Sequence, residues 1–127
     1  MAGTIRYSMN LALSNGTLND SYNTSGLTAT QTTGTIIRNV QTLLSASAQG
    51  DQLDMGGITV PGVAAFANLD LTNYVEIGIQ VSGTFYPFIK LLAGQQAGPL
   101  FLGVALNAVY ARANTGNVNL FYLIYNT

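Results

Sequence analysis

The sequence predicts an all-β fold: a single antiparallel β-sandwich of about eight strands, jelly-roll-like in preference to immunoglobulin-like. Three observations predict it. Apolar residues alternate with a period of two in several segments, as a strand with one buried face requires. Turn signals part those segments at roughly 8–12 residues, the spacing of sandwiches and barrels. No segment carries the periodicity of a long amphipathic helix; Leu100–Ala113 comes nearest, but Gly103 and its β-branched and aromatic residues disfavour helix. The reading is one domain over residues 1–127, with a polar arm or loop at about 17–34.

Thr4–Leu13 is the clearest strand, because Ile5, Tyr7, Met9, Leu11 and Leu13 alternate with smaller or polar residues and read as a half-buried face. Asn15-Gly16 follows, the favoured pair for a type I′ hairpin. Residues 17–34 are rich in Thr, Asn, Ser and Gly and read as a loop, an extended arm or weak edge strands. Thr35–Ser45 resumes strand character, with Ile36, Ile37, Val40, Leu43 and Leu44 spread over both faces. Gly50–Gly57 reads as a turn anchored by Leu53 and Met55, and Val60-Pro61-Gly62 as a tight turn.

Val63–Leu69 is a short strand and Asp70–Asn73 a turn. Tyr74–Val81 directs Val75, Ile77, Ile79 and Val81 inward and Glu76 and Gln80 outward. Ser82-Gly83 then makes a hairpin turn into Thr84–Leu92, where Pro87 marks a sheet edge or a bulge because it cannot donate to a neighbour. After a loop at Gly94–Gly98 come three strands, Leu100–Val104, Ala108–Ala113 and Asn117–Tyr125, the last two joined at Asn114-Thr115-Gly116. In the final strand Val118, Leu120, Tyr122 and Ile124 share one face and Phe121, Leu123 and Tyr125 the other. A strand apolar on both faces is central and covered by its own chain, or meets another subunit.

Composition narrows the function. Only 7% of the residues are charged, against about a quarter in ordinary domains, and His, Cys and Trp are absent. A surface this poor in charge resists association weakly, which points to a chain built to touch other protein. Arg6, Arg38, Lys90 and Arg112 are scattered and the net charge is −1, so no nucleic-acid surface is expected. No apolar run is long enough to span a membrane, since Pro99, Gly103 and Asn107 interrupt the most apolar stretch. Met1–Arg6 lacks the layout of a secretory signal, so the Asn-X-Ser/Thr triplets at Asn15, Asn19 and Asn23 read as turn residues.

Without a His to activate a Ser or Thr, no catalytic residue is assigned and the chain is read as a non-enzyme. Asp51, Asp54, Asp70 and Glu76 match no calcium-loop spacing, and neither a metal nor a cofactor site is assigned. Seven Tyr residues supply amphipathic area. Tyr7 and Tyr122 are expected in the core, and Tyr86, on one face with Thr84, Phe88 and Lys90, at a partner contact. The candidate interface is therefore Tyr86, Phe88, Phe121, Leu123 and Tyr125.

Residues 73–78 (Asn-Tyr-Val-Glu-Ile-Gly), 83–91 (Gly-Thr-Phe-Tyr-Pro-Phe-Ile-Lys-Leu) and 109–115 (Val-Tyr-Ala-Arg-Ala-Asn-Thr), with the closing Val118–Tyr125 strand, resemble small structural proteins of tailed bacteriophages. These include the capsid cement, or decoration, proteins. The resemblance implies a virion protein made in the host cytoplasm and bound to the outer capsid shell. It would be a homo-oligomer, expected as a trimer, that bridges major capsid protein subunits. A neck or tail station is the alternative within the virion. A carbohydrate-binding module using Tyr86 and Tyr110 is the alternative outside it.

Overall fold

The computed structural model describes residues 3–32, 34–44, 49–104 and 108–127, and every regular element among them is a β-strand. The strands form antiparallel sheets that do not close into a barrel. Among the described residues no helix is long and apolar enough to cross a membrane. Where the sequence reading had a single domain, the chain divides into two compact units, one ending at Gly34 and the other starting at Thr35.

The first unit is a hairpin of β1 (Gly3–Asn15) and β2 (Leu18–Gln31). Of the three readings of residues 17–34, loop, extended arm or weak edge strands, the structure has the strand, over Leu18–Gln31. Its apolar residues change phase midway, Leu18 and Tyr22 at even positions and Leu27 and Ala29 at odd ones, so no single alternation marks it. The backbone absorbs the change: Tyr7 pairs with Leu27 but Met9 with Thr24, which leaves one extra residue on β2, and Gly26 there has φ 71. The turn also sits one residue later than Asn15-Gly16. Asn15 pairs with Leu18, and of Gly16 and Thr17 only Gly16 has positive φ, as a type II′ turn requires. Asn19 and Asn23 lie within β2, not in turns. Of the β1 face read as half-buried, Ile5 is buried, whereas Met9, Leu11 and Leu13 are exposed.

The second unit contains β3 (Ile36–Leu43), β4 (Asp51–Gln52), β5 (Pro61–Asn68), β6 (Val75–Val81), β7 (Thr84–Leu91), β8 (Gln96–Phe101), β9 (Val109–Ala113) and β10 (Val118–Asn126). Pro61 and Gly62 open β5 instead of forming a turn, and β8 begins inside the expected Gly94–Gly98 loop. Ser45, the end of one expected strand, lies outside the described residues. The pairings nest: β6 with β7, β5 with β8, β4 with β9, β3 with β10. This is one long hairpin whose tip is Ser82-Gly83, both at positive φ, as in a type I′ turn. Rolling it on itself adds the pairs β5 with β10 and β6 with β9. The result is two four-stranded sheets, ordered β3-β10-β5-β8 and β4-β9-β6-β7.

One apolar cluster is shared by both sheets. The first contributes Leu43, Ala64, Phe66, Val118, Leu120, Tyr122 and Ile124, and the second Val75, Ile77, Leu91, Val109, Ala111 and Ala113. Leu53, Met55 and Ile58 close one side from the β4–β5 connection. Burying a side chain of this size stabilises by roughly 1.5–3 kcal/mol before chain entropy is subtracted. Two buried amides fasten the connections. Asn68 Nδ2 donates to the carbonyls of Asn73, Leu91 and Leu92, and its Oδ1 accepts from Asp70 N–H. Asn126 Oδ1 accepts from the backbone N–H groups of Thr59 and Val60.

Pro87 lies on the edge strand β7, and a bulge interrupts the β6–β7 register between Ile77 and Gly78. There the β7 backbone presses onto Gly78, and a Cβ at that position would collide with Tyr86 O and lie 2.7 Å from Pro87 Cα. Gly78→Ala should therefore lower unfolding free energy by about 2–3 kcal/mol, since backbone must move; urea denaturation checks this, and a change below about 0.5 kcal/mol would contradict the close approach.

Asp70 shapes the β5–β6 connection by accepting from the N–H groups of Thr72 and Asn73. The Asn73 and then the Thr72 backbone bonds hold its carboxyl below the usual aspartate range. A depressed folded-state pKa contributes stability above the unfolded value and loses it as pH falls through the folded one. In an NMR titration Asp70 should protonate below the usual aspartate range, and Asp70→Asn should remove that step.

Candidate functional site

Residues paired across neighbouring strands share a sheet face, so the register maps the outer surface of the first sheet. Phe121 pairs with Val40 on one side and Ala67 on the other. Leu123 sits between Arg38 and Ala65, and Tyr125 opposes Ile36. Leu120, Tyr122 and Ile124, which alternate with them, are fully buried, so Phe121, Leu123 and Tyr125 point away from the core. These three are half-buried, while Ile36 and Val40 remain 52% and 51% exposed. The face is an apolar strip along β3 and β10, interrupted on β3 by Arg38 between Ile36 and Val40. Its nearest charge, the Arg38 guanidinium, lies 5.4 Å from the Phe121 ring centroid.

Tyr86 and Phe88 are exposed, but they lie on β7, in the other sheet. The bulge also separates residues expected on one face. Tyr86 pairs with Ile79 and Lys90 with Glu76, and Ile79 and Glu76 point to opposite sides of β6. The five candidate residues therefore form two groups on different sheets, and the structure does not bring them together. Ile36 and Val40 belong with the β10 group. The two-faced pattern of β3 announced them, but only the β3–β10 register makes them neighbours of Phe121 and Tyr125.

Three of the four cations are laid on aromatic rings. Besides Arg38, Lys90 Nζ sits 4.0 Å from the Tyr74 centroid, and Arg112 lies 4.9 Å over Phe85 while its Nε donates to Glu76 Oε2 at 2.6 Å. Such stacking covers ring faces and occupies the charge, leaving neither basic patch nor cluster.

Polar side chains converge where β3 approaches the β4–β5 connection. A shallow cleft of about 590 Å³ is lined there by Asn39, Gln41, Thr42 and Asp54, among others. Its groups already serve one another. Asn39 Nδ2 donates to the Tyr122 hydroxyl, which in turn donates to Asp54 O, and Gln41 Oε1 accepts from Asp54 N–H. Burial pushes the Tyr122 hydroxyl pKa upward, so it serves as a neutral donor. Asp54 caps a turn by accepting from Gly56 N–H, and Asp51, on β4, accepts from Leu44 N–H. Among the described residues no group of three or more His, Cys, Asp or Glu gathers to hold a metal.

Searches of family models, curated proteins and solved structures found no match for this chain. The strip along β3 and β10 is thus the candidate functional surface.

The two faces of β10 make a direct test. Phe121→Asp should leave the second unit folded, with a thermal midpoint within a few degrees of the parent. Leu120→Asp should abolish cooperative unfolding, because an unpaired carboxylate in the core costs several kcal/mol. Equal damage from both substitutions in circular dichroism melts would reverse the face assignment.

Proposed function

We propose that this chain is a virion structural protein, a capsid cement protein that binds the outer shell and bridges major capsid protein subunits. We read its second unit as a jelly-roll sandwich. In that unit the sheet orders are first-eighth-third-sixth and second-seventh-fourth-fifth, the pattern of a rolled four-plus-four hairpin, which supports the reading. Jelly rolls serve in viral capsids but also in lectins, so the fold by itself is only an analogy.

The observation that carries the function is the outward apolar strip of Ile36, Val40, Phe121, Leu123 and Tyr125 on a chain with 7% charged residues. Aromatic and aliphatic side chains with a single Arg laid on an aromatic ring, as Arg38 lies on Phe121, are the composition of an interface core. A flat sheet face suits a broad protein surface better than a small molecule, which needs a concave pocket. A cement protein works by adding contacts across shell joints, and strip and copy number together would supply them.

The test is co-sedimentation of the purified protein with shells of the encoding phage. Binding is expected, weakened about tenfold or more by Phe121→Asp or Leu123→Asp, which place a carboxylate in the contact. Absence of binding by the parent protein would overturn the reading. Glycan binding that disappears on Tyr86→Ala or Tyr110→Ala would favour the carbohydrate module instead.

A further inference from the structure

The β1–β2 hairpin carries a second apolar surface, distinct from the strip on β3 and β10. The register places Ile5, Tyr7, Met9, Leu11 and Leu13 of β1 on the same side as Leu18, Tyr22, Leu27 and Ala29 of β2. Thr4, Arg6, Ser8, Asn10 and Ser14 share the opposite side with Ser21, Asn23, Thr28 and Thr30. The extra β2 residue at the bulge is what keeps Leu27 and Ala29 in phase with Leu18 and Tyr22. The conformation thus concentrates apolar side chains on one face; Ile5 at its far end is buried, but toward the turn the face is left in water, with Leu11 72% exposed and Tyr22 and Leu18 each 58% exposed.

We infer that this face is a self-association surface, covered by the same face of a second copy of the chain. The first argument is stability. A lone two-stranded hairpin is marginal in water, and further strands over its apolar face are what give such a ribbon independent stability. A second hairpin laid face to face supplies two more strands at the usual sheet-to-sheet distance of about 10 Å.

The second argument is area. Strands of 13 and 14 residues at about 3.3 Å per residue and 4.8 Å spacing make a face of roughly 40 by 10 Å. Two such faces cover about 800 Å² of flat footprint, and side-chain relief raises the accessible area toward the roughly 1,000 Å² expected of a specific interface.

The third argument is charge. The only ionised side chain on the face is Asp20, opposite Leu13 near the turn. Identical copies therefore meet with little repulsion, and Asp20 stays at the turn end of the face. Arg6 lies on the polar side, so a strongly acidic partner has no complementary charge on the apolar face to attract it. Self-pairing also needs no second gene product, because every copy presents the same surface.

The test uses the purified full-length chain without capsids, so its result does not depend on the virion reading. Light scattering should give a mass twice 13.4 kDa, and Leu11→Asp should reduce it to 13.4 kDa while the second unit keeps its unfolding transition. Because the chain has no cysteine, a single one is a clean probe. Met9 is midway along β1 and close to its own copy whether hairpins pair parallel or antiparallel. Met9→Cys should link copies with a short bis-maleimide, and Asn10→Cys, on the polar side, should not.

A monomeric parent at tens of micromolar would overturn the inference. So would an oligomer that survives Leu11→Asp, which would move the contact to the β3–β10 strip, or equal linking at Met9→Cys and Asn10→Cys. Loss of shell binding with self-association intact would count against the proposed function alone.

Discussion

Strand β10 is bonded along both edges and apolar on both faces, and the second unit depends on that. β3 and β5 take its backbone hydrogen bonds, and Val118, Leu120, Tyr122 and Ile124 fill the space between the sheets. Tyr122 joins the two roles. Its ring lies in the apolar cluster while its hydroxyl reaches the polar groups of Asn39 and Asp54 at the margin. A residue that is apolar along its body and satisfied at its tip can close a core at an open sheet edge, which an aliphatic side chain cannot do without stranding those groups.

The outer half of the same strand has the opposite character. Phe121, Leu123 and Tyr125 are only half-buried, and the alternation of a strand fixes them beside Val40, Arg38 and Ile36. The second unit is thus built around its inner face and leaves apolar side chains on its outer one. The hairpin repeats this division on a smaller scale, with an apolar side and a Thr/Ser/Asn side. In both units, low ionisation leaves few charges to keep such surfaces apart.

Much of this was legible in the residues. Period-two alternation identified β1, β6 and β10, and Pro87 correctly marked both an edge and a bulge. Three features escaped because local pattern does not encode them. β2 was hidden by the phase change that its bulge corrects, so its Leu and Tyr residues looked unrelated. The two-residue β4 leaves no periodicity to read. The grouping of Tyr86 with Lys90 failed because one additional residue inverts the facing of every side chain beyond it. The β10 strip was visible strand by strand, but joining Ile36 and Val40 to Phe121 required a pairing that spans most of the second unit.

That span has a consequence for how the molecule is made. Asn39 and Tyr122, bonded across β3 and β10, are 83 residues apart in the chain, whereas β6 and β7 meet through a two-residue turn. Loop-closure entropy favours zipping outward from Ser82-Gly83, with the most distant contacts last. The strand that completes the larger join is also the last of its unit in chain order, so the second unit closes only after translation has passed β10. High contact order thus acts as a timer that delays a finished surface until every strand of the unit has been made.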